Sequence, residues 1–109
     1  MSLVITSDNF EKEARRLIKK YRSLALEIAT LIEQLSIDPT QGAAMGRECY
    51  KIRLAIKSKG KGKRGGARVI TCVVALKEEV TLLSIYDKSE QNDITDQELD
   101  RLLRENELI

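Results

Sequence analysis

Histidine and tryptophan are absent from this chain, and cysteine, proline and aromatic residues are scarce. With no histidine and only two cysteines, the sequence has too few ligands for a zinc site. We expect no metal and no cofactor. The aromatic residues are Phe10, Tyr21, Tyr50 and Tyr86. They are too few for the stacking platform of a typical single-strand binder. The core must therefore be largely aliphatic.

Long apolar runs are missing as well. No stretch approaches the ~20 apolar residues that a membrane-spanning helix requires. Asp8, Glu11 and Lys12 interrupt the region where a signal peptide would be apolar. We therefore expect a cytoplasmic protein with no membrane partner. Cys49 and Cys72 each lie in a strand-like run, and we expect reduced core thiols there, with a disulfide as the alternative.

Acidic residues are missing altogether from residues 51–77, which hold nine basic residues. Residues 1–50 are balanced, with seven acids and seven bases, whereas residues 78–109 hold ten acids and three bases. The overall charge of +2 hides this segregation. A basic field of this kind attracts phosphates. The alternative is a solvated basic loop with no ligand, but the bases extend into both flanking strands, which favours a binding surface.

The spacing of apolar residues predicts the order strand, helix, helix, strand, strand, strand, helix. The predicted strands are residues 3–6, 49–57, 67–76 and 80–86, with a turn at 78–79. The predicted helices are residues 9–21 and 23–35 and a last one from the capping box Thr95–Glu98 to about Asn106. We expect a single α+β domain over residues 1–109. In it, the N-terminal strand and a helical hairpin pack on a small antiparallel sheet.

The strand at residues 49–57 alternates in character. Its even-numbered residues, from Tyr50 to Ile56, are apolar, whereas Lys51, Arg53 and Lys57 share the other face. This pattern is typical of a half-buried strand with a basic outer face. Residues 58–66 contain four glycines and should form a loop. That loop is not a nucleotide-binding P-loop, because a strand follows it and the Gly-Lys-Ser/Thr ending is missing.

The most specific signal is the order and spacing of four segments. They are a helical hairpin closed by Asp38-Pro39 and Gly42, the strand 49–54, the glycine-rich turn and strand 60–70, and residues 85–90 before a leucine-rich helix. Together these segments resemble the RelE/HigB branch of the RelE/ParE toxin superfamily, from bacterial type II toxin–antitoxin modules. The resemblance spans nearly the whole chain. It implies the same α+β fold.

The resemblance also implies an activity and partners. RelE and HigB toxins cleave messenger RNA on the ribosome, and a cognate antitoxin neutralises them, whereas ParE toxins poison DNA gyrase. We therefore expect a metal-independent, ribosome-dependent mRNA endoribonuclease. The alternative is a non-enzymatic binding module, either a gyrase inhibitor or an inactive member that binds RNA or its antitoxin.

Metal-free RNA cleavage needs a base for the 2′-hydroxyl, cations for the phosphorane and an acid for the 5′-oxygen. Without histidine, lysine, arginine and tyrosine must supply these roles. By resemblance, the catalytic positions are Lys51, Arg53, Arg68 and Lys88. Lys51 is the expected base, Arg53 and Arg68 bind the scissile phosphate, and Lys88 or Tyr86 assists the leaving group.

Each candidate also has a structural interpretation. Lys51 and Arg53 could be ordinary solvent-facing strand residues, and Tyr86 could simply pack. Arg68 has a better claim, since Gly65-Gly66 before it allows close approach of a phosphate backbone. The remaining bases of the segment are expected to contact messenger or ribosomal RNA without acting as catalysts: Lys57, Lys59, Lys61, Lys63 and Arg64.

Overall fold

Five strands form one mixed sheet in the computed structural model of the protein, which describes residues 1–109. The strands are β1 (Leu3–Thr6), β2 (Ala43–Gly46), β3 (Cys49–Leu54), β4 (Ala67–Val74) and β5 (Glu79–Asp87). The helices are α1 (Asp8–Lys20), α2 (Leu24–Ile37) and α3 (Asp96–Glu105). In the sheet the strands lie in the order β1-β5-β4-β3-β2. The predicted α+β fold is confirmed.

The three central strands form the predicted antiparallel meander, but the two edges of the sheet differ from the prediction. β1 pairs with β5 in parallel, from Leu3 opposite Glu79 to Thr6 opposite Leu82, so the sheet is mixed. β2 was not predicted, because Ala43–Gly46 carries no alternating apolar pattern. It forms through a tight connection to β3, in which Arg47 and Glu48 both have positive φ.

β3 and β4 end earlier than predicted, because each runs into a short 3₁₀ turn, at Lys57–Lys59 and Ala75–Lys77. The first of these turns, Lys57–Lys59, is anchored to α2 and to Ser23, the residue before α2. The Ser58 backbone N–H donates to the Ser23 hydroxyl at 2.9 Å, and the Lys57 N–H donates to Glu27 at 2.7 Å. The basic loop therefore begins from a fixed point and not from free coil.

The two faces of the sheet are covered unequally. The helical hairpin α1–α2 covers one face, with Phe10, Leu17 and Leu31 in its core. On the other face α3 packs its leucines, such as Leu99 and Leu103, on a smaller core. The hydroxyl of Thr95 caps this helix, as predicted, by accepting from the Glu98 N–H at 3.0 Å. None of the three helices is both long and apolar enough to span a bilayer.

A bulge in β5 serves both cores. Ile70 lies opposite Ser84 and Thr71 opposite Leu82, which leaves Leu83 as the extra residue. Leu82 packs in the hairpin core, whereas Leu83 packs under α3. The carboxylate of Glu13 accepts from the Ile85 N–H at 3.2 Å and from the Ser84 hydroxyl at 2.7 Å. Because α3 covers only part of its face, the rest of that face stays open.

Candidate active site

The open part of the α3 face is a basic cleft. Arg53 lies directly opposite Arg68 in the β3–β4 register, and Lys51 is two residues from Arg53 on the same side of β3. The cleft has a volume of about 770 Å³ and is lined by Ala43 and six basic side chains: Lys51, Arg53, Lys63, Arg64, Arg68 and Lys88. Four of the five predicted catalytic residues and two of the predicted RNA contacts thus meet in one place.

The two arginines of the cleft differ in how they are held. Arg53 is exposed and makes no hydrogen bond or ion pair within the chain. Arg68 is buried, and its guanidinium donates to the carbonyl oxygens of Lys63 at 2.8 Å, Ala67 at 3.1 Å and Arg64 at 3.1 Å. Arg68 therefore fixes the end of the basic loop, and this places Lys63 and Arg64 at the cleft.

Lys51 carries an acidic partner that the sequence did not reveal. Its ammonium lies 2.6 Å from Oδ1 of Asp93, an exposed residue two positions before the cap of α3. The hydrogen bond from Lys51, followed by that from the Ile94 N–H, lowers the pKa of Asp93. A carboxylate therefore lies at the edge of the basic cleft. In sequence, Asn92-Asp93 indicated only a loop, and nothing local linked it to β3.

Tyr86 lies beneath the cleft and does not line it. It pairs with Arg68 across β4 and β5, and its hydroxyl lies 3.5 Å from the same oxygen of Asp93 that Lys51 contacts. Burial, with a further contribution from the charge of Asp93, raises the pKa of Tyr86 to about 12, although Arg68 opposes this shift. The phenol is therefore protonated at neutral pH, packed against the core of α3.

Lys88 stands on the cleft rim, one residue beyond the end of β5. Its backbone N–H donates to the Gly66 carbonyl at 3.0 Å. Its ammonium donates to the backbone carbonyl of Asn92 at 2.6 Å and to the side-chain amide oxygen of the same residue at 3.2 Å. An ammonium has three N–H donors, and only two of those of Lys88 are used by these neutral acceptors. Lys88 can therefore still donate a hydrogen bond or offer its charge to a bound phosphate.

Lys59 does not lie on this surface, contrary to the expectation of an RNA contact. Its ammonium is 2.5 Å from Oδ1 of Asp87, and its side chain is only 8% exposed. Asp87 is fully buried and also accepts from the Tyr21 hydroxyl at 2.5 Å and from the Ser89 hydroxyl at 2.7 Å. Burial alone would raise the pKa of Asp87, but these hydrogen bonds outweigh it and hold the pKa well below its usual range. Lys59 is a structural residue that fastens the loop to β5.

Gly66 also serves the fold and not a ligand. A Cβ atom at Gly66 would lie 2.2 Å from the carbonyl oxygen of Leu54. The close approach that the glycine pair permits is thus taken up by β3 of the same chain. Of the other predicted contacts, Lys61 is exposed away from the cleft, and Lys57 lines a separate groove between α2 and β3. No group of three or more His, Cys, Asp or Glu side chains is placed to hold a metal ion.

Comparison with known proteins gives one family and one fold. A family model described as the RelE toxin of the RelE/RelB toxin–antitoxin system matches residues 4–107. A mutant of the E. coli toxin RelE in the free state superposes with a TM-score of 0.63 at 17% identity, covering 95% of this chain and 96% of that chain.

Two further solved structures share the fold. A chain of the intact E. coli RelBE toxin–antitoxin complex gives a TM-score of 0.61 at 19% identity, over 80% of this chain and 96% of that chain. A metal-bound toxin from Helicobacter pylori gives 0.53 at 18% identity, over 83% of this chain and 98% of that chain. At these identities the likeness establishes the fold alone.

Proposed function

This chain belongs to the RelE toxin family of type II toxin–antitoxin systems, and from that premise we propose that it is a ribosome-dependent endoribonuclease that cleaves messenger RNA without a metal ion. One observation carries the proposal: Lys51, Arg53, Arg68 and Lys88 line a single open cleft. A module that only binds a protein partner has no need to bring these four cations together. A nuclease needs them around one phosphate.

Arg53 is the residue best suited to bind the scissile phosphate. Its guanidinium has no partner in the chain, so its donors are available to two phosphate oxygens at once. Arg68 lies opposite, with three of its five N–H donors already used by the loop carbonyls. It contributes charge to the transition state and keeps Lys63 and Arg64 in place.

Lys51 is the proposed base for the 2′-hydroxyl. In the free protein its ammonium is paired with Asp93. An entering phosphate repels Asp93, which lies on an exposed loop. Once the pair has separated, the amine of Lys51, which lines the cleft beside Arg53 and Lys88, is available to take the proton of the 2′-hydroxyl.

Lys88 is the proposed proton donor for the leaving 5′-oxygen. Its ammonium lines the cleft, whereas the hydroxyl of Tyr86 lies below it and faces Asp93. Tyr86, the other candidate, would have to emerge from the α3 core to reach the substrate. We assign Tyr86 to the support of the cleft floor.

The lining of the cleft supports the proposed dependence on the ribosome. Apart from Ala43 its lining is cationic, with no aromatic side chain to stack a base. Such a surface binds phosphates but does not orient a nucleotide, and we propose that the ribosome presents the messenger in a fixed geometry. We propose that the exposed bases of the loop region contact ribosomal RNA, Lys63 and Arg64 at the cleft and Lys57 and Lys61 outside it.

The proposed partner in the resting cell is a cognate antitoxin. The chain of the E. coli RelBE complex, which shares the fold, was solved together with its antitoxin. We infer a comparable partner that blocks the basic cleft, because neutralising a nuclease requires only that the phosphate site be filled or covered.

Induction of this protein in bacteria without an antitoxin, followed by primer extension on two copies of one message, tests the function. One copy is translated, and the other lacks its start codon. We expect growth arrest and cuts confined to the translated region of the first copy. Equal cutting of both copies would overturn ribosome dependence, and intact RNA with broken DNA would favour the gyrase alternative.

A further inference from the structure

Cys49 and Cys72 form a pair of buried thiols that the proposed reaction does not use. They are direct partners in the β3–β4 register, and neither is in a disulfide. The Val73 N–H donates to the Glu48 carbonyl at 2.9 Å, so residues 48 and 73 form a hydrogen-bonded pair. Hydrogen-bonded and non-hydrogen-bonded pairs alternate along an antiparallel ladder. Cys49 and Cys72 are therefore a non-hydrogen-bonded pair.

This position suits a cross-strand disulfide. In non-hydrogen-bonded pairs the Cα atoms are about 4.5 Å apart and the side chains approach closely. Disulfides span Cα separations of about 4.4–6.8 Å. Both sulfur atoms also lie near the same carbonyl oxygen, that of Arg47, at 3.6 Å for Cys49 and 4.0 Å for Cys72. The two sulfurs thus converge from neighbouring strands, and a bond between them requires no change of strand register.

A small molecule can approach Cys72 from outside. A groove of about 340 Å³, bordered by Arg47, Val73, Leu76 and Leu108, has Cys72 in its lining. Both thiols belong to the core under α3, but Cys49 does not line the groove. The two thiols are therefore unequal: one faces an entrance, and the other lies behind it.

The interaction between the two thiols also separates their pKa values. It lowers the pKa of Cys72 against the opposing effect of burial, and together with burial it raises the pKa of Cys49. Because Cys72 also lines the groove, we assign it as the attacking thiolate, since the thiolate and not the thiol is the nucleophile.

We propose that Cys49 and Cys72 are a reversible thiol–disulfide couple, oxidised by peroxides and restored by dithiol reductants. The Cys72 sulfur attacks one peroxide oxygen, the O–O bond breaks, and a sulfenic acid and one water form. The Cys49 sulfur then attacks the Cys72 sulfur, the S–O bond breaks, and a second water leaves. Two thiols and one hydrogen peroxide give one disulfide and two waters. Sulfur loses the two electrons that the peroxide gains.

Oxidation ties together the strands that carry the cleft. Lys51 and Arg53 follow Cys49 on the same face of β3, and the chain between the cysteines includes the whole basic loop. A covalent link across this loop restricts the unfolded chain and stabilises the fold. This inference does not depend on the proposed nuclease activity, since it concerns thiol chemistry and stability alone.

Titration of the full-length protein with hydrogen peroxide, followed by intact mass and peptide mapping, tests the couple. We expect a loss of about 2 Da, one linked peptide containing Cys49 and Cys72, and a rise in Tm of at least about 5 °C. Dithiothreitol should reverse all three. In Cys49→Ala, the oxidant should leave a sulfenic acid on Cys72 that dimedone traps, with no rise in Tm.

Three results with the wild-type protein would overturn the inference. In the first, both thiols stay free under peroxide until the protein unfolds. In the second, oxygen is added to a cysteine but no disulfide between Cys49 and Cys72 forms. In the third, disulfides form only between two separate chains. The wild-type mapping decides the question even where a cysteine variant does not fold. Equal trapping of sulfenic acid on Cys49 in Cys72→Ala would contradict the assignment of Cys72 as the attacking thiol.

Discussion

At the scale of single residues, neighbouring lysines of the basic loop have different roles. Lys59 and Lys61 share the same local sequence, in which lysines alternate with small residues, and the sequence predicted the same role for both. The structure separates them, because Lys59 reaches buried Asp87 whereas Lys61 points to solvent. The partner of Lys59 lies on a different strand, so no local pattern could distinguish the two. Asp93 is likewise distant in sequence from Lys51, so no local pattern could predict that these two residues pair.

Substitution of the two lysines should therefore give opposite results. Lys59→Ala leaves buried Asp87 without its nearer cation, with only Lys20 at 3.9 Å, and should lower the free energy of unfolding by about 3 kcal/mol. Lys61→Ala removes an exposed charge and should change it by less than about 0.5 kcal/mol. Urea unfolding followed by circular dichroism measures both. Similar stabilities for the two variants would contradict the structural role of Lys59.

Asp87 should also make stability depend on pH in acid. Its pKa in the folded state lies below the unfolded value of about 3.9, so its contribution is complete above that pH. As pH falls below about 4 the unfolded chain takes up the proton first, and stability is lost. Between pH 5 and pH 2 the wild type should therefore lose more unfolding free energy than Asp87→Asn, which has no such group. Parallel pH profiles would show that Asp87 does not titrate as described.

Arg53 gives the cleanest test of the cleft, because its exposed side chain makes no hydrogen bond or ion pair within the chain. Arg53→Ala should slow single-turnover cleavage at saturating ribosomes by about 10²-fold, the effect of one lost transition-state donor. Lys77→Ala, an exposed basic residue outside the cleft, is the matched control and should cleave at the wild-type rate. A loss common to both variants would indicate a general effect of charge and not a phosphate site.

At the scale of elements, the alternation of apolar and polar residues predicted the central strands and the basic face of β3. This was possible because a period of two can be read from neighbouring residues alone. At the edges, β1 was predicted as a strand but its parallel pairing was not, and β2 was not predicted, each for a physical reason. β2 is a four-residue strand with little to bury, and β1 finds its parallel partner β5 more than 70 residues away. The role of Gly66 was also misassigned. The sequence shows that a residue without a side chain is needed at this position, but not that the backbone of β3 occupies the space a side chain would take.

Gly66→Ala should therefore disrupt the packing of β4 on β3. The new Cβ would overlap the Leu54 carbonyl oxygen, which is backbone and cannot move aside. We expect a loss of at least about 2 kcal/mol in unfolding free energy. In the comparison variant, Gly65→Ala, the Cβ would lie 2.7 Å from the Cβ of Lys61, so the loop must shift, but no backbone atom of β3 is in the way and the cost should be smaller. Denaturant melts of the two variants decide, and equal stability would refute this account of Gly66.

At the scale of the whole molecule, the segregated charges of the sequence become a surface with one open basic cleft. The acidic C-terminal part does not simply lie apart from it, because Asp87 and Asp93 pair with Lys59 and Lys51. These pairs reduce the number of cations free to meet RNA. Composition alone could predict a basic field, but only the fold determines which bases remain available and that they surround one space.

The most direct test of the cleft as a nuclease site is cleavage of a messenger with one altered sugar. Programmed ribosomes are loaded with messenger RNA that carries either a ribose or a 2′-deoxyribose at the scissile nucleotide, and single-turnover cleavage by the purified protein is measured. We predict that the ribose substrate is cut to a 2′,3′-cyclic phosphate end and that the deoxy substrate is left intact. Cleavage of the deoxy substrate at a comparable rate would contradict the account, because the 2′-hydroxyl would then not be the nucleophile that Lys51 activates.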